Sequence, residues 1–297
     1  MTLTRICPAK INLFLEVTGK LPNSYHELAT LFAKIDWADT LTLSVHPATQ
    51  TDISLTLTGP IGKRLRADES NLVCRAARGF LEHFGLHAQL DITLDKHIPT
   101  GAGLGGGSSD AANTLLALCE IFKKDKQALL PLATRLGADV PLFMYEDTFL
   151  KGEGIGEKLS PLTANGALPW MVLVYPNAFI STKDVFARFQ LPTPAEVKKQ
   201  VNHLNALLTH LQTGQPLSTW APHLFNRLEQ YVTQVSTPVQ EAINTLKQTQ
   251  AQAVLMSGSG STVFALADSQ TQAQQIAAQL NRPDWLVRCT RFYTPNL

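Results

Sequence analysis

The sequence carries almost no surplus of charge: 25 Lys and Arg stand against 24 Asp and Glu, a net of +1 over 297 residues. A broad electrostatic footprint for nucleic acid or an anionic membrane is thereby excluded, and any charged partner must be met locally. Cysteine is scarce. Cys7, Cys74, Cys119 and Cys289 lie far apart and form no C-x-x-C pair, which argues against a zinc site or a disulfide framework and for reduced structural thiols. Long apolar runs are missing too: Trp170 to Tyr175 with its flanks falls far short of the roughly 18 residues of a membrane span. Met1 to Lys20 reads as strand, without the basic segment, long apolar run and cleavage site of an export signal, so a cytoplasmic protein is expected. Repeats and low-complexity segments are absent.

What is present is ordinary globular composition, 44% hydrophobic and 16% charged. At roughly 150 residues per domain the length suggests about two domains. Alternation at Leu41, Leu43 and Val45, and again at Ile53, Leu55 and Leu57, predicts two half-buried strands in an antiparallel hairpin or meander. Ser70 is placed to cap a helix through Phe84 that Gly85 ends, Leu90, Ile92 and Leu94 predict a strand, and Ala111, Ala112, Leu115, Leu116, Cys119 and Phe122 describe one face of a helix from Ser108. Beyond Lys151 the pattern predicts a buried strand at 170–175, helices near 182–189 and 196–211, and a helix at 238–248. A strand pair at 253–256 and 262–266, a helix at 270–280 and a last strand at 285–293 follow. This order predicts an α+β protein with helices on one sheet face, divided between Glu157 and Leu168, giving domains 1–160 and 161–297.

The sharpest local feature is Pro99-Thr100-Gly101-Ala102-Gly103-Leu104-Gly105-Gly106-Gly107-Ser108-Ser109, glycine-rich and leading into a strong helix. Glycines let backbone N–H groups close around an anion, and the helix N-terminus adds orphan donors and a favourable dipole, so phosphate is the natural guest. Gly101, Gly103 and Gly106 fit G-x-G-x-x-G, but Lys96 to Pro99 separate them from the strand and Glu120 falls on a helix, which disfavours a dinucleotide site. The Walker form fails for want of a Lys after the last glycine, and no H-R-D or D-F-G marks a protein kinase.

Pro8-Ala9-Lys10-Ile11-Asn12-Leu13, the loop at 99–109 and Met256-Ser257-Gly258-Ser259-Gly260-Ser261 together resemble the three motifs of the GHMP small-molecule kinases, and 23–28 and 136–141 extend the resemblance over residues 5 to 266. The resemblance implies a ribosomal-protein-S5-like N-terminal domain and a ferredoxin-like C-terminal α/β sandwich. It implies ATP as cosubstrate with Mg2+, for which no protein ligand is named. It implies transfer to the 2-hydroxyl of a cytidine diphosphate sugar alcohol on a non-mevalonate route to isoprenoids, by a monomer or homodimer. Another GHMP kinase, or a nucleotide-binding sensor that has lost catalysis, is the alternative.

Carried over residue by residue, the resemblance makes Asp139 the catalytic carboxylate and Lys10 its paired cation. It puts Asn71, Leu72 and Lys96 with Pro99 to Ser109 on the nucleotide. Tyr25 and His26 would hold the cytidine, Phe186 would offer the opposite stacking face, and Asn12 and Thr182 would touch the substrate. By local sequence alone, Asn71 and Leu72 read equally well as helix cap and first core residue, and Phe186 with Phe189 as core. His46, His83, His87, His97, His203, His210 and His223 read as scattered surface or core residues, with no hydrolase or metal pattern.

Overall fold

The computed structural model describes residues 1–22, 25–181, 184–186, 189–280 and 282–295. Contacts divide it into two compact units. The first unit comprises Met1–Ala9, Trp37–Thr100 and Gly105–Glu146; the second comprises Lys10–Asp36, Gly101–Leu104 and Asp147–Leu297. The long strands β1 (Thr2–Lys20) and β2 (His26–Pro47) contribute to both units.

In the first unit, the end of β2 pairs antiparallel with β4 (Ala88–Asp95), from Thr40 opposite Asp95 to Pro47 opposite Ala88. On its other side β4 pairs parallel with β3 (Asp52–Thr58). The expected hairpin or meander of 41–45 with 53–57 is therefore not formed, because β4 lies between the two. Burial explains the order: alternate residues of β4, Leu90, Ile92 and Leu94, are buried, whereas β3 buries none and forms an edge. Periodicity specifies a strand and its inward face, not its neighbours.

Helix α1 (Leu72–Phe84) is capped by Asn71, whose side chain accepts from the Val73 amide at 3.0 Å, one residue later than Ser70, and Gly85 ends it at φ 61°. Its apolar stripe, Val73, Ala76, Ala77, Phe80 and Leu81, is buried. Gly79 lets α3 (Leu130–Leu136) approach, since a Cβ there would stand 2.9 Å from Leu132 Cδ1. Between them in sequence, α2 (Gly106–Phe122) starts two residues ahead of the expected Ser108 and buries Ala111, Ala112, Leu115 and Leu118.

The second unit adds β5 (Phe149–Glu153), β6 (Lys158–Leu162), β7 (Trp170–Tyr175), β8 (Phe225–Asn226), β9 (Ala253–Met256), β10 (Val263–Ala267) and β11 (Leu286–Arg291). Its longer helices are α4 (Pro194–Gln212), α5 (Glu229–Val235), α6 (Thr237–Lys247) and α7 (Gln270–Ala278). Strands β11, β7, β10 and β9 form an antiparallel sheet in that order, the ferredoxin-like arrangement. The buried core gathers Val172 and Val174 of β7, Val263 and Ala265 of β10, Val239, Ile243 and Leu246 of α6, and Ile276 of α7. Of the helix expected at 182–189, residues 182, 183, 187 and 188 lie outside the described residues. Among the described residues no helix is long and apolar enough to cross a membrane.

Three histidines that read as scattered come together in this unit. His203 and His210, two turns apart on α4, face His223, with ring centroids 5.1 and 5.3 Å from that of His223 and His203 Nδ1 at 3.0 Å from His223 Nδ1. Burial, and then the two neighbouring imidazoles, hold His223 below the ordinary histidine value. The folded state thus binds fewer protons than the unfolded chain, so this contribution to stability is present above about pH 6.5 and lost as pH falls below it. The thermal midpoint of the wild type is expected to drop between pH 7.5 and 5.5 by more than that of His223→Gln; equal drops would remove the cluster as the cause.

Candidate active site

In the first unit, Pro99, Thr100 and Gly105 to Ser109 of the glycine-rich loop are anchored from below. The Asp39 carboxylate accepts from the backbone amides of His97 at 2.5 Å and Ile98 at 2.8 Å, fixing the chain as it leaves β4 toward Pro99. Its other oxygen receives the Lys96 ammonium, which also lies 2.7 Å from Asp110 Oδ2. Gly105 (φ 66°) is the N-cap of α2, and Ser109 N makes a bond back to Gly105 O at 2.9 Å. The amides of Gly106, Gly107 and Ser108 ahead of it are the first-turn donors that a helix leaves for an anion. Leu72 lies beside this turn, 3.6 Å from where a Gly107 Cβ would stand, while Asn71 before it serves as the cap of α1.

Asp139 follows α3 on a turn held by a Val140 N to Gly137 O bond of 3.0 Å. The turn touches the loop: a Cβ on Gly137 would lie 3.8 Å from Ser108 Oγ. Asp139 is half-buried. Lys96, by contrast, is 1% exposed, its charge met by Asp39 and Asp110. A divalent ion does not fit between those two carboxylates, because the ammonium already occupies them.

In the second unit, three stretches far apart in sequence converge. Lys10 N donates to Leu104 O at 2.9 Å, and Lys10 Nζ to Asn12 Oδ1 at 2.9 Å, with the ammonium 5.5 Å from the Phe32 ring centre. Asn12 is held in turn by Thr30 Oγ1, which accepts from its Nδ2 at 2.9 Å and donates to Phe14 O. The Ser257 hydroxyl donates to Gly103 O at 3.0 Å and accepts from Asn12 N at 3.3 Å. Thr262 N donates to Ala102 O at 3.1 Å. A Gly258 Cβ would stand 3.3 Å from both Asn12 Oδ1 and Lys10 Nζ. Asn226 fastens this loop by donating to Met256 O and Gly258 O at 2.7 and 2.8 Å. Thr30 and Asn226 were not singled out by sequence, and no local motif marks either.

The proposed cytidine residues also lie in the second unit. Tyr25 is 58% exposed. His26 stacks on Phe186, with ring centroids 4.6 Å apart at 20°, and meets Phe189 edge-on. That face of Phe186 is therefore covered by His26, so Phe186 orders the imidazole. Burial, then Lys20, keeps His26 below its usual value, so near pH 7 its neutral ring presents one donor and one acceptor. Thr182 lies outside the described residues. Among the described residues no group of three or more His, Cys, Asp or Glu is arranged to hold a metal.

Residues 71–147 match the family described as GHMP kinases N terminal domain, and 210–283 match GHMP kinases C terminal. A relative from Salinibacter ruber named 4-diphosphocytidyl-2-C-methyl-D-erythritol kinase is 37% identical over 290 residues, covering 95% of this chain and 96% of the relative. A crystal structure of 4-(cytidine 5'-diphospho)-2C-methyl-D-erythritol kinase superposes with a TM-score of 0.76 at 34% identity, over 98% of this chain and 99% of that one. Homoserine kinase from Cytophaga hutchinsonii superposes with a TM-score of 0.78 at 19% identity, over 98% of this chain and 94% of that one, so the fold alone does not distinguish the acceptor.

Proposed function

The chain belongs to the GHMP kinase family, and on that premise we propose that it transfers the γ-phosphoryl group of ATP to the 2-hydroxyl of 4-diphosphocytidyl-2-C-methyl-D-erythritol, on the non-mevalonate route to isopentenyl diphosphate. The observation that carries the reading is the convergence of Lys10 and Asn12, Gly103 and Leu104, and Ser257 and Gly258 through direct hydrogen bonds and close backbone approach. Full-length similarity at 37% identity to a relative named for this substrate selects the acceptor.

The chemistry is positioning and charge compensation. The first-turn amides of α2 and the glycines from Gly101 to Gly107 hold the nucleotide phosphates, with Asn71 and Leu72 on the base side and Lys96 beneath the loop. Mg2+ supplied with ATP would offset charge on the phosphates, and no side chain of this protein is assigned to hold it. The Asp139 carboxylate accepts the hydroxyl proton as the alcohol oxygen bonds to the γ-phosphorus and the β–γ bridging bond breaks, leaving ADP and the phosphorylated alcohol. The Lys10 ammonium, held by Asn12, offsets charge on the transferred group. Tyr25 stacks on the cytosine and His26 bonds its polar edge. Both substrates are highly charged and water-soluble, which suits a cytoplasmic enzyme.

The direct test is ADP formation with ATP, Mg2+ and a panel of acceptors: 4-diphosphocytidyl-2-C-methyl-D-erythritol, methylerythritol, mevalonate and homoserine. Turnover confined to the first is expected; turnover of another acceptor would keep the kinase and discard the pathway. Stacking of a base is worth about 1–3 kcal/mol, so Tyr25→Ala is expected to raise KM for the cytidine substrate roughly 5- to 150-fold, leaving KM for ATP unchanged. Equal losses for the two substrates would refute the stacking role.

A further inference from the structure

Asp39, Lys96 and Asp110 are 0%, 1% and 2% exposed and face one another, two carboxylates around one ammonium. With every group ionised the cluster carries a surplus negative charge shut away from water, an arrangement that desolvation penalises heavily. The least costly relief is a proton, and the hydrogen bonds indicate where it sits. Both oxygens of Asp39 are engaged, one by the amides of His97 and Ile98 and the other by Lys96. On Asp110, Oδ2 meets Lys96 while the buried Oδ1 has no hydrogen-bond partner. Burial first, and then the Asp39 charge, push Asp110 up to about 7 against the opposing pull of Lys96. Of the other groups near the cluster, the Cys7 thiol of β1 is pushed upward, chiefly by burial, and stays neutral. Arg5 of β1 is held by Asn113 and Glu120.

The cluster lies directly behind the phosphate-loop helix. Lys96 Nζ is 3.0 Å from where a Gly106 Cβ would stand, and Asp110 is one turn further along α2. An anion arriving at that N-terminus makes the potential at Asp110 more negative and strengthens its hold on a proton. We infer that Asp110 is a positioning residue for nucleotide binding, taking up a proton from solvent as the phosphates settle on the glycine loop and so leaving the charge of Lys96 to act on the loop. This rests on the reading of residues 99–109 as a phosphate cradle.

The test is calorimetry of ADP binding at saturating Mg2+ in buffers of different ionisation enthalpy. Near pH 7.5 the wild type is expected to take up about half a proton per ADP, if the phosphates raise the pair by about one pH unit. Uptake should vanish by pH 5.5, where Asp110 is already protonated. In Asp110→Asn, a neutral isostere, ADP binding is expected to persist without buffer-dependent heat. Uptake undiminished in the variant, or no uptake in the wild type across pH 5.5 to 8.5, overturns the inference while leaving the phosphate cradle intact. No ADP binding by the wild type overturns both. Should the variant fail to fold, the wild-type pH series alone decides.

Discussion

Asp139→Ala is expected to lower kcat by about 10²- to 10⁴-fold, the range for removing a positioned general base, while ATP binds within a few-fold of the wild type. The expectation follows from the position of Asp139 on the turn after α3, whose Gly137 adjoins Ser108. Truncation there removes a proton acceptor without altering the amides that hold phosphate. Asp139→Asn separates two ways of acting. An amide can orient the hydroxyl but cannot take its proton, so a true base predicts that Asn is as damaging as Ala. Single-turnover rates and nucleotide affinity measured together decide; near-normal turnover in Asp139→Ala would defeat the mechanism, and recovery in Asn alone would reduce Asp139 to an orienting group.

Gly103→Ala is expected to be almost as severe for a different reason. Gly103 sits at φ +75°, and a Cβ there would lie 2.3 Å from Ser257 O and 2.9 Å from Gly260 O. Both obstacles are backbone, so no side chain can swing aside, and the segment 101–104 must part from 257–260. That separation breaks the Ser257 to Gly103 bond and disturbs the Asn12 amide that also bonds Ser257. A displacement of about 1 Å at such a site costs roughly 10²-fold, so kcat/KM is expected to fall by at least that much for both substrates. Gly85→Ala provides the control. Gly85 is also left-handed, at φ +61°, but a Cβ there meets nothing within 4 Å, so backbone strain alone should lower the thermal midpoint and leave kcat/KM nearly intact. Similar kinetic losses in both variants would show that strain, not the contact with the 257–260 loop, governs Gly103.

The parts of this design that were legible in the sequence are those written locally. Glycines crowded ahead of an apolar-patterned segment announce a helix N-terminus, which the structure places at Gly106, and the alternation of Leu90, Ile92 and Leu94 identifies a strand and its buried face. What stayed hidden depends on pairing over distance. Nothing near Asp39 reveals that it will cap two amides and receive Lys96, 57 positions on. The same holds for Asn226, which fastens a loop 30 residues later, and for His203, His210 and His223, whose spacing conceals their contact. Strand order fails likewise, since β4 enters between β2 and β3 through contacts that periodicity does not encode. Phe186 shows the limit of resemblance: the motif supplied the ring, and the structure laid His26 on its face.

The interleaved course of the chain bears on how the protein is made. Lys10–Asp36 belongs to the unit completed by Asp147–Leu297, and Gly101–Leu104 is lent to it from the middle of the other. A nascent chain emerging from the ribosome exposes Leu15 and Val17 long before the valines of β7 and β10 that share their core have been translated. A premature stop codon late in the message would therefore remove partners of one of the earliest segments.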